Sequence, residues 1–508
     1  MIQRIQIIII ILLSLVIEKS CAQYKDNYWV FGDSVAINWI NPNTPIIENS
    51  AFNWRNGSCS VGDSLGVLLY SGLFNNILPI NNTVWNKFHT SIQDGDHIYG
   101  NAWYHSGLFI PNPSNDSIFF LFTCGVNSSE PYGLYYTTIN YKVNNDSGAV
   151  IQKNVQLNNS PAFDALMGVR HGNGRDWWIV SQRYTLNFAP TNAFYFYLVS
   201  ESGVSGPFQQ NIGSFRKTGG GHLYFNSTGS QFAQTSWLGM IELYNFDRCT
   251  GLITSTIPIE QEPTTSPYPH WYSSCAFSPD DTKMYVFEYS QTSLPHYLWQ
   301  FDLTSSNIAN SKIAIDSFPG PPYGAYQLKL APNGKIYLSA ADQNFSWPYP
   351  DTSSAYTTIN NNLSVINYPD SLGAACDFQP FSFNLGTGRS YFGLPNNPKY
   401  ELGAWVGSPC DTLTVSQAEN DEKNDVFFQA WYNPEWNMIH VNASKLKGKS
   451  GVLRLFDVDG RVVYERKVDV IAGGYFTGEI GMNGIASGVY IVSLTTEKDK
   501  LQGKILKF

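Results

Sequence analysis

The sequence has little charge. Asp, Glu, Lys and Arg make up 14% of its 508 residues, against about 25% in an ordinary soluble protein. Disordered chains are rich in charge and poor in aromatic residues, whereas aromatics reach 15% here, so a disordered or coiled-coil protein is excluded. The net charge is −9, and no cluster of Lys and Arg stands out. Because a phosphate-binding surface needs such a cluster, nucleic acid is excluded as a partner.

Long apolar runs are also scarce. The one long run, Ile7–Ile17, is shorter than the ~20 residues needed to span a bilayer. One basic residue precedes it and small residues follow it, which is the pattern of a cleavable signal peptide. We therefore predict a signal peptide at residues 1–22, cleavage between Ala22 and Gln23, and no transmembrane segment in the mature chain. Lipidation at Cys21 is the weaker alternative, because the residue three positions earlier is not apolar.

Motifs of metal and catalytic chemistry are missing. None of the seven cysteines belongs to a CxxC pair, which argues against a zinc site. The nucleophile elbow GxSxG, HExxH and the P-loop are absent as well, and we assign no catalytic residue, metal or cofactor. After signal cleavage six cysteines remain, free or paired in any of fifteen ways: Cys59, Cys124, Cys249, Cys275, Cys376 and Cys410.

Charge is distributed unevenly along the chain. Residues 424–508 are about 24% charged and carry a net charge of +2, whereas residues 23–423 are about 12% charged and carry −12. Residues 416–423 are polar, lack aromatics and are typical of a linker. The composition therefore predicts a large domain at 23–415, a linker at 416–423 and a small domain at 424–508.

The large domain contains a repeat. Apolar residues, a turn with Pro, Asn, Asp or Gly, and a second apolar run recur every 50–58 residues, which is a hairpin signature. This period suits one four-stranded propeller blade, and we predict an all-β, seven-bladed β-propeller. Tandem β-sandwiches are the structural alternative. We expect residues 28–31 to close the ring against residues 402–406. The turn markers are Gly66, Asp116, Gly174, Gly229, Asp281, Gly334 and Gly388.

The small domain has about seven short segments in which apolar and polar residues alternate, as in half-buried strands. Asp459-Gly460 is a strong hairpin signal between two of them. We predict a small immunoglobulin-like β-sandwich.

Three blocks of this domain carry a resemblance: Leu455–Arg461, Ile485–Val492 and Gly503–Phe508. Their sequences and order resemble the C-terminal sorting domain of the type IX secretion system of Bacteroidetes. The resemblance implies Sec export to the periplasm, recognition by the type IX translocon, and then release or attachment to the outer-membrane surface. The residues that match the motif are Asp457, Gly460, Arg461, Gly488, Tyr490, Gly503, Lys504 and Lys507.

The large domain also contains familiar blocks: Arg170–Trp178, Phe246–Gly251 and Gly393–Asn396. They resemble blocks in a group of secreted Bacteroidetes propeller proteins that carry the same sorting domain. This resemblance supports the fold and implies no particular activity.

Charged clusters in the large domain have structural interpretations. The stretch Arg170–Trp178 contains a histidine, two arginines and an aspartate, yet its place in the repeat favours a hairpin in which Arg and Asp pair. His89, His97 and His105 are interpreted as solvated loop residues rather than metal ligands, because no helix places them on one face. A glycosidase needs two facing carboxylates, for which the candidates are Glu242, Asp247, Asp342 and Asp377.

Aromatic residues are the better functional lead. Pro-rich segments place Trp271, Tyr272, Trp347 and Tyr349 in expected loops, and the loops of a propeller gather at its faces and carry function. Such rings can stack on a sugar or a partner side chain. We therefore predict a non-catalytic binding protein for a glycan or a surface protein. The alternatives are a polysaccharide hydrolase or lyase, and a structural subunit of a surface assembly.

Overall fold

The structure is a computed structural model, and it divides into two compact units between Ala404 and Trp405. The residues described are 25–54, 57–63, 66–72, 82–101, 104–105, 107–126, 132–185, 189–217, 220–263, 270–289, 295–319, 323–342, 344, 353–411, 427–433, 437–444, 446–458, 460–470 and 476–507. The predicted signal peptide, the Ala22–Gln23 cleavage site and the predicted linker lie outside these residues.

The N-terminal unit is built from antiparallel sheets, seven of them within the described residues. Five sheets have four strands, one has three and one has two. The two-stranded sheet is β1 (Tyr28–Asn38) and β2 (Ile46–Trp54). The three-stranded sheet is β3 (Ser58–Asp63), β4 (Gly66–Gly72) and β5 (Thr83–Asn86).

The four-stranded sheets follow in chain order. The first consists of β6 (Gly107–Asn112), β7 (Asn115–Gly125), β8 (Gly133–Asn140) and β9 (Ala149–Asn158), and the second of β10 (Met167–Arg170), β11 (Trp177–Gln182), β12 (Thr191–Ser200) and β13 (Gly203–Arg216). The third consists of β14 (Gly221–Phe225), β15 (Gln231–Ser236), β16 (Ile241–Asp247) and β17 (Leu252–Glu260), and the fourth of β18 (Trp271–Phe277), β19 (Lys283–Tyr289), β20 (His296–Asp302) and β21 (Ile313–Phe318). The fifth consists of β22 (Tyr323–Leu330), β23 (Ile336–Asp342), β24 (Asn362–Ile366) and β25 (Phe378–Asn384). Short helical turns occur at Val143–Asp146, Ala309–Ser311, Ser353–Ala355 and Gly373–Cys376.

Every four-stranded sheet is a meander, in which each strand pairs with the next one in the chain. The first strands of successive sheets pack against one another from β3 through β6, β10, β14 and β18 to β22. Apolar clusters fill the space between neighbouring sheets; one joins residues of β18–β20 to residues of β22–β24. This is the architecture of a β-propeller, so that prediction is confirmed and tandem sandwiches are excluded. The number of blades stays a prediction, although seven sheets equal the seven expected repeats.

Four of the seven turn markers lie in the tight turn between the first two strands of a sheet. Gly174, Gly229, Asp281 and Gly334 all have φ between 60° and 77°, the left-handed region in which a turn is made at least steric cost by Gly or Asp. At Gly229 a Cβ would also lie 2.7 Å from Val169 Cγ2. Gly388 is different, since it precedes the segment that closes the ring rather than a hairpin.

The ring closes through Asp33 on β1 and Arg389. Their backbones form a reciprocal pair, Asp33 N to Arg389 O at 2.9 Å and Arg389 N to Asp33 O at 3.2 Å. Their side chains pair as well, with Arg389 Nε donating to Asp33 Oδ2 at 2.6 Å, and both are buried. The expected pairing of residues 28–31 with 402–406 is therefore wrong. It placed the closure too late in the chain, because the segment after Arg389 continues across the ring.

That segment runs over the first strands of several sheets. Asn396, a residue of the block Gly393–Asn396, is buried and donates from its side chain to Gly107 O at 3.0 Å and Leu166 O at 2.9 Å. Its backbone N–H donates to Ser58 O at 2.7 Å. One residue thus links three neighbouring sheets, two of them through its side-chain amide, which explains why an amide is present at this position.

The cysteines divide into two classes. Cys59, Cys124, Cys275 and Cys376 are free and buried in the N-terminal unit. Cys249, in the same unit, is disulfide-bonded. Most of the candidate cysteines are therefore core residues of low reactivity.

Within the described residues the C-terminal unit has seven strands in two sheets. One sheet has the order Phe427–Asn433, Met438–Ser444, Phe476–Gly481, and the other has the order Val462–Asp469, Ser450–Phe456, Gly488–Thr496, Lys500–Lys507. Inward-facing side chains of both sheets, among them Val441, Leu453 and Val492, form one apolar cluster. The predicted β-sandwich is therefore confirmed. No helix among the described residues of the chain is long and apolar enough to cross a membrane. The strands are β26 (Phe427–Asn433), β27 (Met438–Ser444), β28 (Ser450–Phe456), β29 (Val462–Asp469), β30 (Phe476–Gly481), β31 (Gly488–Thr496) and β32 (Lys500–Lys507).

Candidate functional site

A cavity of about 450 Å³ lies at the ends of the first strands of the propeller. Strands β10, β14, β18 and β22 contribute to its wall, and so do the hairpin turns that follow β14, β18 and β22. Residues 397–402 and 26–27, which flank the ring closure, complete it. Its volume is within the roughly 300–1,000 Å³ of small-ligand sites.

Two charged groups and one amide, from three segments, converge in this cavity. Lys329 is on β22 with its side chain 1% exposed, and Nζ lies 3.3 Å from Asp26 Oδ1. The same oxygen accepts a hydrogen bond from Asn397 Nδ2 at 2.6 Å. Burial raises the pKa of Asp26 and lowers the pKa of Lys329, against the opposing effect of their mutual attraction. The Asp26–Lys329 ion pair is thus partly desolvated, and it lies in a cavity wall that contains both polar and apolar side chains.

Apolar groups line the rest of the cavity. Phe225 and Phe277 end their strands beside it, and Met167 and Val169 come from β10. At its rim, Lys399 Nζ lies 3.9 Å from Glu401 Oε1, and both side chains are about two-fifths exposed. The cavity therefore combines an apolar wall, a buried ion pair and an exposed ion pair.

A second set of polar side chains lies at the centre of the propeller. His105 and His222 are fully buried there, and the centroids of their imidazole rings are 4.3 Å apart. Gln327 accepts from Leu394 N through Oε1, so its Nε2 donates to His105 Nε2 at 3.2 Å. Ser274 Oγ lies 3.2 Å from His222 Nδ1. Burial lowers the pKa of both imidazoles, that of His105 to about 3. Both rings are therefore neutral at pH 7.

Trp271 and Tyr272, two of the four predicted binding aromatics, do not line the cavity. Trp271 begins β18, at the opposite end of that strand from the cavity, and packs edge-on against Trp237 and Tyr289 at ring-centroid distances of 4.8 and 5.4 Å. Tyr272 is fully buried, bonds to Glu260 and accepts from Lys312 Nζ at 3.0 Å. The expectation that these two residues lie in a loop is wrong, because strand pairing extends to them.

Trp347 and Tyr349 lie outside the described residues. The binding role assigned to the aromatics stays a prediction. Of the four, Trp271 is a partly exposed member of an aromatic cluster and Tyr272 is a core residue.

The cluster within Arg170–Trp178 is the expected hairpin. Arg175 Nε pairs with Asp176 Oδ1 at 2.8 Å, and the guanidinium of Arg170 lies 4.4 Å from the ring centroid of Trp177. Arg248, in the block Phe246–Gly251, donates to Arg170 O at 2.8 Å. The blocks Arg170–Trp178 and Phe246–Gly251 therefore contact each other, and their contacts are structural.

The three histidines are scattered. His89 Nδ1 lies 2.7 Å from Tyr70 OH, and His97 pairs with Asp96 at an exposed site. His105 is buried at the centre of the ring, so the solvated-loop interpretation is wrong for it. No group of three or more metal-ligating side chains occurs among the residues that the structure describes.

The carboxylates considered for hydrolysis are held by local hydrogen bonds. Glu242 accepts from Tyr244 OH at 2.7 Å, and Asp342 accepts from Thr357 Oγ1 at 2.8 Å. Asp247 accepts from Cys249 N at 2.8 Å, and Asp377 accepts from Asn367 Nδ2 at 3.0 Å. None is among the residues that line the described cavity.

The motif residues of the C-terminal unit stabilise its turns and its last strand. Asp457 Oδ1 accepts from Arg461 N at 2.9 Å, and Gly460 is in the left-handed region at φ 77°. Tyr490 OH donates to Ala486 O at 2.7 Å. Lys507 Nζ donates to Met482 O at 2.8 Å and to Ile485 O.

The remaining motif residues lie on β31 and β32. Gly488 begins β31 and pairs with Lys507. A Cβ at Gly503 would lie 3.2 Å from the ring of Phe428, and Lys504 Nζ lies 3.1 Å from Asp411 Oδ2. The motif is thus explained by the fold of this unit.

Residues 429–507 match the family model of the secretion system C-terminal sorting domain. This C-terminal segment belongs to that family. The sorting domain indicates secretion through the type IX system, to the medium or the cell surface. The resemblance found in the sequence is therefore confirmed.

The chain has weak similarity to several solved structures. One is a protein from Lactobacillus plantarum (12% identity, TM-score 0.36, covering 81% of this chain and 98% of that chain). Another is PorZ, a bacterial surface component of the type IX system of Porphyromonas gingivalis (9%, 0.30, 95% and 75%). A third is a quinonprotein alcohol dehydrogenase-like protein from Bacteroides thetaiotaomicron (9%, 0.39, 73% and 77%). No curated protein sequence matches this chain.

Sequence reasoning missed the ion pair in the cavity, although a signal for it exists. Aligning the repeats on Gly229, Asp281 and Gly334 places Lys329 at the position that Tyr224 and Ala276 occupy in the other two copies. A lysine at a position that is otherwise apolar marks an exception to the repeat.

Proposed function

We propose that this protein is a non-catalytic binding protein that acts outside the cell. A signal peptide directs it to the Sec pathway, the sorting domain directs it to the type IX translocon, and the propeller binds a glycan or a surface protein. The observation that supports the binding role best is the cavity, in which an apolar wall and a few convergent polar groups are combined as in ligand sites.

The carboxylates at the cavity favour binding over hydrolysis. Asp26 is paired with Lys329, and Asp281 accepts from the backbone and the hydroxyl of Ser227. The third carboxyl group at the cavity, Glu401, has its pKa raised by burial and by the neighbouring Asp26. Glycosidases need two carboxyl groups about 5–10 Å apart, one of which is kept protonated or nucleophilic. A polysaccharide hydrolase or lyase is the alternative, and the experiment below would detect it by the release of reducing sugar.

A structural role in a surface assembly has one observation in its favour. Phe208 and Phe215 on the outer strand β13 are 48% and 61% exposed. Exposed apolar surface of this kind marks interfaces when it is extensive. Such a role predicts self-association rather than binding in the cavity.

The test is to apply the purified chain from Gln23 to Phe508 to an array of plant, algal and bacterial polysaccharides, with retained protein and released reducing sugar both measured. We expect retention without release. Release of sugar would establish an enzyme and overturn the non-catalytic role. The variant Trp271→Ala distinguishes binding by the aromatic cluster from binding in the cavity, because it removes a side chain at the end of β18 that is far from the cavity.

If no polysaccharide retains the protein, its own host's surface proteins are tested next by affinity capture with a Lys329→Met variant as control. Capture that is equal for both variants would contradict binding in the cavity. Sedimentation of the chain alone reports self-association, which would favour the structural role.

A further inference from the structure

The cavity has the chemical features of a site for one class of ligand, and this inference rests on the proposed binding function. We propose that it takes the terminal residue of a neutral glycan, with Asp26 and Lys329 contacting neighbouring hydroxyls and the apolar wall contacting the C–H face of the ring.

The first support is the position of the ion pair. Lys329 comes from the first strand of a sheet, Asp26 precedes β1, and Asn397 follows the ring closure, so three distant segments bring these groups together. Lys329 is 1% exposed and Asp26 is 22% exposed. The Asp26–Lys329 pair is therefore largely enclosed by protein, and both residues still line the cavity.

The second support is hydrogen-bonding capacity. An ammonium group has three donors and a carboxylate has about four acceptor positions. Lys329 donates to Asp26, and Asn397 donates to the same oxygen. Two adjacent hydroxyls on a sugar offer both an acceptor and a donor, so they can bind to an ammonium and a carboxylate at the same time.

The third support is charge. Lys329 and Asp26 balance each other inside the cavity, and the rim pair Lys399–Glu401 is also balanced. The remaining carboxylate, Asp281, already accepts hydrogen bonds from the backbone and the hydroxyl of Ser227. An acidic or cationic ligand would compete with one member of the buried pair and leave the other unpaired, which is costly at a desolvated site. A neutral, hydroxyl-rich ligand leaves both pairs intact.

The fourth support is the apolar part of the wall. Phe225, Phe277 and Val169 line the cavity with the charged groups. Sugar rings have apolar C–H faces, and aromatic side chains bury large apolar area against such faces. A pyranose can bind to such a site with its C–H face on the aromatic side chains and two of its hydroxyls on the donor and the acceptor.

The experiment uses the chain from Gln23 to Phe508 and saturation-transfer NMR with three probes: a set of neutral methyl glycosides, methyl glucuronide and a neutral hexapeptide. The variants are Asp26→Asn and Lys329→Met. The matched controls are Asp302→Asn and Lys283→Met, because Lys283 and Asp302 form a similar pair, 3.4 Å apart, on β19 and β20, and neither residue lines the cavity.

We expect at least one neutral glycoside to bind, and its affinity to fall at least tenfold in both cavity variants and less than twofold in both controls. If a cavity variant binds the glycoside as tightly as the parent does, and circular dichroism shows that it is as folded as its control, the sugar binds elsewhere. That result would overturn this inference and leave the proposed function intact.

Preference for the glucuronide or the peptide, lost in the cavity variants, would likewise overturn the ligand class and keep the binding function. Absence of binding to all three probes, together with absence of retention on the polysaccharide array and of capture from surface proteins, would overturn both. Asp26→Asn preserves the shape of the side chain and keeps one acceptor oxygen for Lys329 and Asn397, while it removes the charge and the second acceptor oxygen. It therefore remains informative if Lys329→Met does not fold.

Discussion

The two units of this chain use charge in opposite ways. The propeller has few charged residues, yet Arg216, Lys329 and Arg389 are almost fully buried. The sorting domain has twice the fraction of charge, and Asp499 is the one charged side chain that is buried among its described residues. The frequency of charged residues therefore says little about where they lie.

The difference follows from the architecture. The two sheets of a sandwich meet through apolar faces, so its core can exclude polar groups. The sheets of a propeller converge on an axis, where strand ends and crossing segments present polar backbone groups that need partners. Asn396 and Arg389 supply such partners, and the buried charges of the propeller connect segments that are distant in the chain.

The largest expected effect separates the units by role. Deletion of residues 424–508 should leave the protein in the periplasm of a host that has the type IX system, because the sorting domain is what the translocon recognises. Western blots of periplasm and medium check this, with the full-length chain beside it. Secretion of the truncated chain would contradict the role of the sorting domain.

The second prediction compares two ion pairs. Arg389→Met should lower the free energy of unfolding by about 3–5 kcal/mol, because it leaves Asp33 buried without its cation. Arg454→Met in the sandwich removes a pair of similar length, Nε to Glu465 Oε2 at 2.7 Å, that is exposed. It should cost less than about 1 kcal/mol.

Urea unfolding of both variants measures these costs. Similar losses in the two would mean that the ring closure does not depend on its buried pair, and the contrast between the units would fail.

The third prediction concerns acid. His105 and His222 are neutral when folded, and each accepts a proton near pH 6.5 when unfolded. The unfolded state therefore binds more protons below pH 6.5, and stability should fall from there toward pH 3, where the folded His105 begins to titrate. The slope is up to about 1.4 kcal/mol per pH unit for each imidazole.

Thermal unfolding of the parent and of a His105→Asn/His222→Asn variant at pH 7, 6, 5 and 4 tests this slope. The double variant should lose less stability per pH unit than the parent, whatever its stability at pH 7. Parallel curves would show that other groups cause the acid sensitivity.

The smallest effect compares two glycines with similar backbones. Gly229 and Gly460 have φ of 69° and 77°, so Ala costs about 1 kcal/mol at either position for the backbone alone. A Cβ at Gly229 would also meet Val169 and Leu402 within 2.8 Å, whereas nothing lies within 4 Å at Gly460.

Gly229→Ala should therefore destabilise the protein by about 2 kcal/mol and Gly460→Ala by about half of that, measured by urea unfolding. Equal costs would show that the propeller hairpin is packed no more tightly than the sandwich hairpin.

Local patterns were sufficient for much of the fold. The hairpin turns at Gly174, Gly229, Asp281 and Gly334 and the alternation in residues 424–508 were recognised because turn chemistry and strand periodicity depend on adjacent residues. The strand boundaries were harder. Tyr272 was expected in a loop because prolines precede it, yet strand pairing includes it.

The repeated hairpins, the sandwich and the sorting motif are legible in the sequence, since each is encoded within a few dozen residues. Tertiary structure alone decided the closure at Asp33 and Arg389, the meeting of His105 with His222, and the cavity in which Asp26 meets Lys329. These partners are separated by more than 100 residues. They come together only because a chain of sheets closes on itself, and no local pattern records that closure.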